Sequence, residues 1–103
     1  MSCVLQDGTA NLSLRGELDL ASAPQMEEGL AAAAKMNPAR VLVDLTNLAF
    51  IDSTGLRLLL QADARAREHG YELVLRPGDP SVQRVFEVTG ALDVLRFEGS
   101  SEG

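Results

Sequence analysis

A chain of 103 residues, 46% of them hydrophobic, suffices for one domain around one core and is too short for two. Fifteen acidic against nine basic residues give a net charge of -6, which disfavours a nucleic-acid backbone or an anionic membrane as partner and makes another protein the expectation. One cysteine, Cys3, and one histidine, His69, leave neither an internal disulfide nor a zinc cluster to assemble, so no metal and no other cofactor is expected. With no apolar run near the roughly 18 residues of a membrane helix and no signal-peptide layout at the start, the expected location is cytoplasmic.

Val4 and Leu5, the pair Asp7-Gly8, and then Leu12 and Leu14 alternating with Asn11, Ser13 and Arg15 predict two strands joined by a hairpin turn. Gly16-Glu17-Leu18-Asp19 follows as a loop or strand end. Ser22-Ala23-Pro24 reads as a helix start, with Ser22 as N-cap and Pro24 in the first turn. Met26, Leu30, Ala33 and Ala34 keep helical spacing to about Met36, with Met26 and Met36 as core and helix-end fillers. Glu27 and Glu28 lie early and Lys35 late, as suits the helix dipole, and Asn37-Pro38 ends the helix.

Arg40 to Leu45 is nearly continuous in apolar residues, β-branched at Val41 and Val43 and too short for a helix, which predicts a central strand covered on both faces. A turn at Thr46-Asn47 then leads through Leu48-Ala49-Phe50-Ile51 to a second helix. That helix is expected to bury Leu56, Leu59, Leu60 and Ala64 and to expose Arg57, Gln61, Arg65 and Glu68, until Gly70 stops it. Tyr71 to Arg76 is the next strand. Pro77-Gly78-Asp79-Pro80 turns the chain into a helix capped by Asp79, with Val82, Val85, Phe86 and Thr89 as its buried face and Gly90 as its stop. Leu92 to Phe97 is a candidate edge strand. This order implies an α/β domain over residues 1–97, a mixed central sheet of four to five strands with helices packed against it, and a flexible C-terminal tail over 98–103.

Function is expected at the junction Asp52-Ser53-Thr54-Gly55-Leu56, where a strand ends and a helix begins. Asp, Ser and Thr are all favoured N-caps, and capping by itself accounts for one of them. It leaves Gly55 unexplained, since glycine in a first turn costs up to about 1 kcal/mol relative to alanine unless something approaches closely. A catalytic Ser53 needs a base within hydrogen-bond reach. His69 stands sixteen residues along the same helix, about 24 Å away at 1.5 Å per residue. That spacing excludes an intramolecular pair and makes His69 a helix-end residue facing the last carbonyls. Beside the plain reading in which these residues only cap the helix, a serine at a helix N-terminus suits one other chemistry, modification by another protein's kinase. Phosphoserine carries about -1.5 to -2 charge, which a helix N-terminus accommodates while the surface it presents to a partner changes strongly.

Leu48-Ala49-Phe50-Ile51-Asp52-Ser53-Thr54-Gly55-Leu56, with Gly16-Glu17-Leu18-Asp19 and Val41-Leu42-Val43-Asp44-Leu45 before it and Val85-Phe86-Glu87-Val88-Thr89-Gly90 after it, resembles the STAS domains of bacterial anti-sigma-factor antagonists. The resemblance spans nearly the whole chain. It implies a STAS-like fold and a non-enzymatic partner-switching regulator that, unphosphorylated, binds a serine-kinase anti-sigma factor and frees the sigma factor. Phosphorylation, here at Ser53, breaks the complex, and a serine phosphatase resets it. Asp52 matches the acidic residue before the phosphoserine and Asp19 the loop aspartate near the same site. The expected docking residues are Asp19, Asp52, Ser53, Thr54, Gly55 and Arg57, with the free protein a monomer. Arg57, four residues after Ser53, is placed to reach back to a phosphate, and Thr54 ranks below Ser53 as acceptor.

Two other classes stay open at this point. One is a STAS accessory or scaffold subunit of a transport or stress-signalling assembly, without phosphotransfer. The other is a small phosphate-handling enzyme in which Asp19, Asp44 and Asp52 converge on Mg²⁺, although no glycine-rich phosphate loop accompanies them.

Overall fold

The computed structural model describes residues 2–99. Strands β1 (Ser2–Gln6), β2 (Thr9–Leu18), β3 (Arg40–Ile51) and β4 (Glu72–Arg76) form one four-stranded sheet in the order β1-β2-β3-β4. β1 and β2 are an antiparallel hairpin, closed at Asp7-Gly8, where both residues hold a positive φ. β2 with β3 and β3 with β4 are parallel, so their connections carry the helices α1 (Ala23–Lys35) and α2 (Ser53–His69). Helix α3 (Pro80–Thr89) and a single 3₁₀ turn (Ala91–Asp93) complete the chain.

All three helices bury their apolar side chains in one cluster with Ala10, Leu12, Leu14, Val41, Val43, Leu45, Leu73 and Leu75 of the sheet. Leu42 and Val74, one residue out of phase, are buried but stand outside that cluster on the opposite face. β3 is therefore buried on both faces, as expected, with the helices on only one of them. On the second face Leu42 and Val74 lie between two ion-pair rows: Arg40, Glu72 and Arg96 on one side, Asp44, Arg76 and Glu98 on the other. The aliphatic stems of these arginines can shield the apolar pair while their charged heads stay in water.

The turn expected at Thr46-Asn47 is an irregularity inside one continuous strand. Register shifts fall between Ser13 and Arg15 and between Gly16 and Glu17, each leaving an extra residue on β3. Each extra residue reverses the in-out parity, so the inward series Val41, Val43, Leu45 continues as Leu48 and then Ile51. Asp44 holds the first irregularity in place: its Oδ1 accepts the Thr46 N–H at 3.0 Å and the Thr46 hydroxyl at 2.7 Å, while Oδ2 faces Arg76 Nη1 at 3.4 Å. Partial burial pushes the Asp44 pKa up, but the Thr46 bonds and the Arg76 guanidinium outweigh it and hold the carboxyl below its ordinary value.

Several helix expectations change in detail. Ser22 precedes α1 but its side chain does not cap it: Pro24 supplies no N–H at the second helical position, and the Ser22 hydroxyl is engaged by Asp19 and Glu17. Glu27 and Glu28 fall beyond that turn, so the dipole argument is left with Lys35. In α2, Leu56 and Leu59 are buried and Leu60 partly so. Ala64 is exposed, and Leu58, Ala62, Asp63 and Ala66 are buried instead, since the helix packs on α1 as well as on β3 and β4. The Asp63 carboxylate, 8% exposed, is met by Arg67 Nε at 3.0 Å. Thr89 is exposed, its hydroxyl donating to the Val85 carbonyl at 2.7 Å, and α3 buries Val82 and Phe86. The expected strand over Leu92 to Phe97 reduces to the 3₁₀ turn and one bridge, Leu75 to Phe97, with Phe97 edge-on to Phe86 at 5.1 Å. Glu98, placed in the tail by composition, is held by its N–H to the Leu75 carbonyl at 2.8 Å and by Arg76 at 2.6 Å. Residues 100–103 of that expected tail lie outside the described residues. Met26 is fully buried, and Met36 and Cys3 pack at the margin of the core, where burial pushes the Cys3 thiol pKa up.

Candidate functional site

The parallel strands β2 and β3 end side by side, with Leu18 opposite Ile51. From Ile51 the chain enters α2 through Asp52, whose N–H donates to the Leu18 carbonyl at 3.0 Å. Asp52 is extended and is the N-cap: its Oδ1 accepts the N–H groups of Thr54 at 2.9 Å and Gly55 at 3.1 Å, and its carbonyl accepts that of Leu56 at 3.0 Å. One residue thus does all the capping. Ser53, the first helical residue, is exposed, and neither its hydroxyl nor its N–H has a hydrogen-bond partner among the described residues. Thr54 is half-buried.

Gly55 is explained by packing inside the molecule. A Cβ on it would stand 2.7 Å from the Leu18 carbonyl oxygen, 2.8 Å from Leu18 Cγ and 3.1 Å from Ile51 Cγ1. The missing side chain lets the first turn of α2 lie against the end of β2, and the buried Gly55 offers no side chain to a partner. Its part in the site is to set the spacing between Ser53 and the Asp19 loop.

That loop is braced on itself. Asp19 Oδ1 accepts the Ser22 N–H at 3.1 Å, and Ser22 Oγ accepts the Asp19 N–H at 3.0 Å while donating to the Glu17 carbonyl at 2.9 Å. Ser22, expected to cap α1, instead shapes the turn that carries Asp19. Asp19, Asp52, Ser53 and Thr54 are thereby gathered at one pole, at the carboxyl ends of two parallel strands. Arg57 is exposed one turn further along α2 and makes no ion pair among the described residues. Asp44 belongs elsewhere, spent on Thr46 and Arg76. Among the described residues no group of three or more His, Cys, Asp or Glu side chains could hold a metal ion. Ser53 and His69 stand at opposite ends of the unbroken α2, and His69 Nδ1 donates to the Arg65 carbonyl at 2.8 Å, as expected of a helix-end histidine.

Two apolar side chains at this pole escaped the sequence reading. Leu20, at the tip of the Asp19 loop, is 74% exposed, and Phe50, paired in register with Glu17, is 49% exposed. In the sequence they look like ordinary core candidates. The signal available was the position of each, one or two residues from Asp19 and Asp52.

A family profile described as "Mlab, STAS domain" matches residues 1–96. A Bordetella bronchiseptica protein named "Putative anti-sigma factor antagonist BtrV" is 38% identical over 96 residues, covering 93% of this chain and 83% of the relative. The chain belongs to the STAS-domain anti-sigma-factor antagonist family. The STAS assignment is carried by the whole domain: the Staphylococcus aureus anti-sigma-B factor antagonist is 29% identical over 94% of this chain and 90% of its own length. The crystal structure of an anti-sigma factor antagonist from Mycobacterium paratuberculosis superposes with a TM-score of 0.81 at 26% identity, over 96% of this chain and 84% of that one. Among the described residues no helix is long and apolar enough to cross a membrane.

Proposed function

We propose that this chain is a cytoplasmic, non-enzymatic anti-sigma-factor antagonist that, unphosphorylated, docks on a serine-kinase anti-sigma factor and frees the sigma factor, and that phosphate on Ser53 switches it off. The observation that carries the reading is the freedom of Ser53. Its hydroxyl is exposed and unbonded at the head of α2 because Asp52 has taken over the cap. A kinase can reach it without unfolding the helix.

The docking face comprises Asp19, Asp52, Ser53, Thr54 and Arg57, with Leu20 and Phe50 supplying apolar area and Gly55 holding the two halves together. Before modification, binding desolvates a neutral hydroxyl at this face. Afterwards it must desolvate a group of about -1.5 to -2 charge beside the Asp52 carboxylate. A penalty of about 3 kcal/mol weakens binding roughly a hundredfold, enough to release the partner. The fold survives the modification because the free Ser53 N–H and the positive end of the α2 dipole lie at the phosphate. A serine phosphatase then restores the binding form, and the free protein is a monomer.

The test uses the purified protein with the serine-kinase anti-sigma factor of its source and ATP. Mass spectrometry is expected to find phosphate on Ser53. Ser53→Ala is expected to stay bound, and Ser53→Asp to bind at least tenfold more weakly. No phosphate on Ser53, together with wild-type affinity of Ser53→Asp, would refute the switch.

A further inference from the structure

At the pole opposite Ser53, the C-terminal ends of α1 and α2 and the residue before β4 border a pocket of about 390 Å³ open to solvent, lined by Ala34, Asn37, Pro38, Arg65, His69 and Tyr71. Its lining has two characters. Ala34 and Pro38 are apolar residues, and Tyr71 adds an aromatic ring. Arg65, His69 and Asn37, with the hydroxyl of Tyr71, are residues whose side chains can hydrogen-bond.

These groups are not spent on one another. Arg65 pairs with no carboxylate among the described residues, unlike Arg40, Arg67, Arg76 and Arg96. His69 donates through Nδ1 to the Arg65 carbonyl, which can only accept, so the proton of the neutral ring sits on Nδ1 and Nε2 remains available. Two helix C-termini meeting here would by themselves repel an anion. Four carbonyls near these ends already accept hydrogen bonds, however, Ala33 from the Met36 N–H, Ala34 from that of Asn37, Ala66 from that of Tyr71 and Arg65 from His69, which lessens that repulsion.

We propose that this pocket binds a small organic carboxylate carrying a compact apolar body. Arg65 is the one permanent cation in the lining, which suits a monoanion, and its planar fork matches a carboxylate in two parallel hydrogen bonds. The volume lies within the range of small-molecule sites, and an inorganic ion would leave the apolar residues of the lining without a contact. The site is independent of the Ser53 face and of the switch proposed there.

Benzoate is the probe, added to the ¹⁵N-labelled full chain, with inorganic phosphate as the contrasting anion. The expected result is saturable shifts at the amides of Asn37, Arg65 and Tyr71, with Arg65→Gln weakening the affinity at least tenfold and phosphate binding at least tenfold more weakly than benzoate. Arg65 is exposed and unpaired, so that variant should fold. Should it not, Tyr71→Phe, which deletes a single oxygen, takes its place, with a severalfold weakening expected. Absence of saturable shifts, an affinity unchanged in the variant, or phosphate binding as well as benzoate overturns the proposal.

Discussion

Adding one methyl group at Gly55 is the sharpest test of how the docking face is assembled. In an unobstructed helix Gly→Ala stabilises by up to about 1 kcal/mol, because glycine loses more backbone freedom on folding. At Gly55 the new Cβ would lie 2.7 Å from the Leu18 carbonyl oxygen, where ordinary contact begins at 3.4 Å. The obstacle is backbone in the last residue of β2, so it cannot rotate away. The start of α2 and the end of β2 must separate by more than half an ångström. Overpacking costs roughly 1–3 kcal/mol, and against backbone the upper part of that range, about 2–3, applies; subtracting a propensity gain of about 1 leaves Gly55→Ala about 1–2 kcal/mol less stable. For a domain of this size that is a fall in Tm of about 4–15 °C. Thermal unfolding followed by circular dichroism reads it, and amide shifts at Leu18 and Asp19 report whether the displacement reaches the loop. A variant as stable as wild type or more so would refute the close approach and return Gly55 to the list of residues whose value is to a partner.

Asp52→Ala removes the acceptor of two first-turn N–H groups and should cost about 1 kcal/mol in chemical unfolding, whereas Ser53→Ala should cost almost nothing. Equal effects would mean that the two residues share the cap. Arg57→Ala in the Ser53-phosphorylated protein should raise the phosphate's second pKa in a phosphorus NMR titration, since it removes the nearest free cation on α2; an unchanged titration would show that Arg57 stays in solvent. Asp44 has a folded-state pKa below its unfolded value, so its contribution is present above about pH 4 and is lost as pH falls through the folded-state pKa. The urea-midpoint gap between wild type and Asp44→Asn should accordingly be widest near neutral pH and close towards pH 2, and a pH-independent gap would contradict the pairing with Thr46 and Arg76.

Local chemistry carried much of this protein. Hydrophobic alternation, Asp7-Gly8, Pro80 behind Asp79, and the terminal glycines at Gly70 and Gly90 each act within a few residues, and the elements they predict match the four-stranded α/β fold. The Ser53 motif was legible for the same reason, as three polar residues and a glycine in a row at a strand-to-helix junction. What a linear reading could not supply is which groups meet across the sheet. The capping role falls to Asp52 because the Leu18 carbonyl takes its N–H and fixes where the helix begins. Gly55 answers to a residue thirty-seven positions earlier. Asp44, a tempting third carboxylate, is kept from Asp19 and Asp52 because strand alternation places it on the sheet face away from the helices, where Thr46 and Arg76 engage it. Leu42 and Val74 needed no second layer of helices because ion pairs from three different segments lie over that face. The positions of Leu20 and Phe50 beside Asp19 and Asp52 were a hint in the sequence, and their exposure in the folded chain set them apart from core residues. Sequence determined the elements and singled out Ser53 at a strand-to-helix junction; packing decided which of its neighbours are engaged inside the molecule, as Asp52 and Gly55 are, and which stay exposed, as Ser53 itself, Leu20 and Phe50 do.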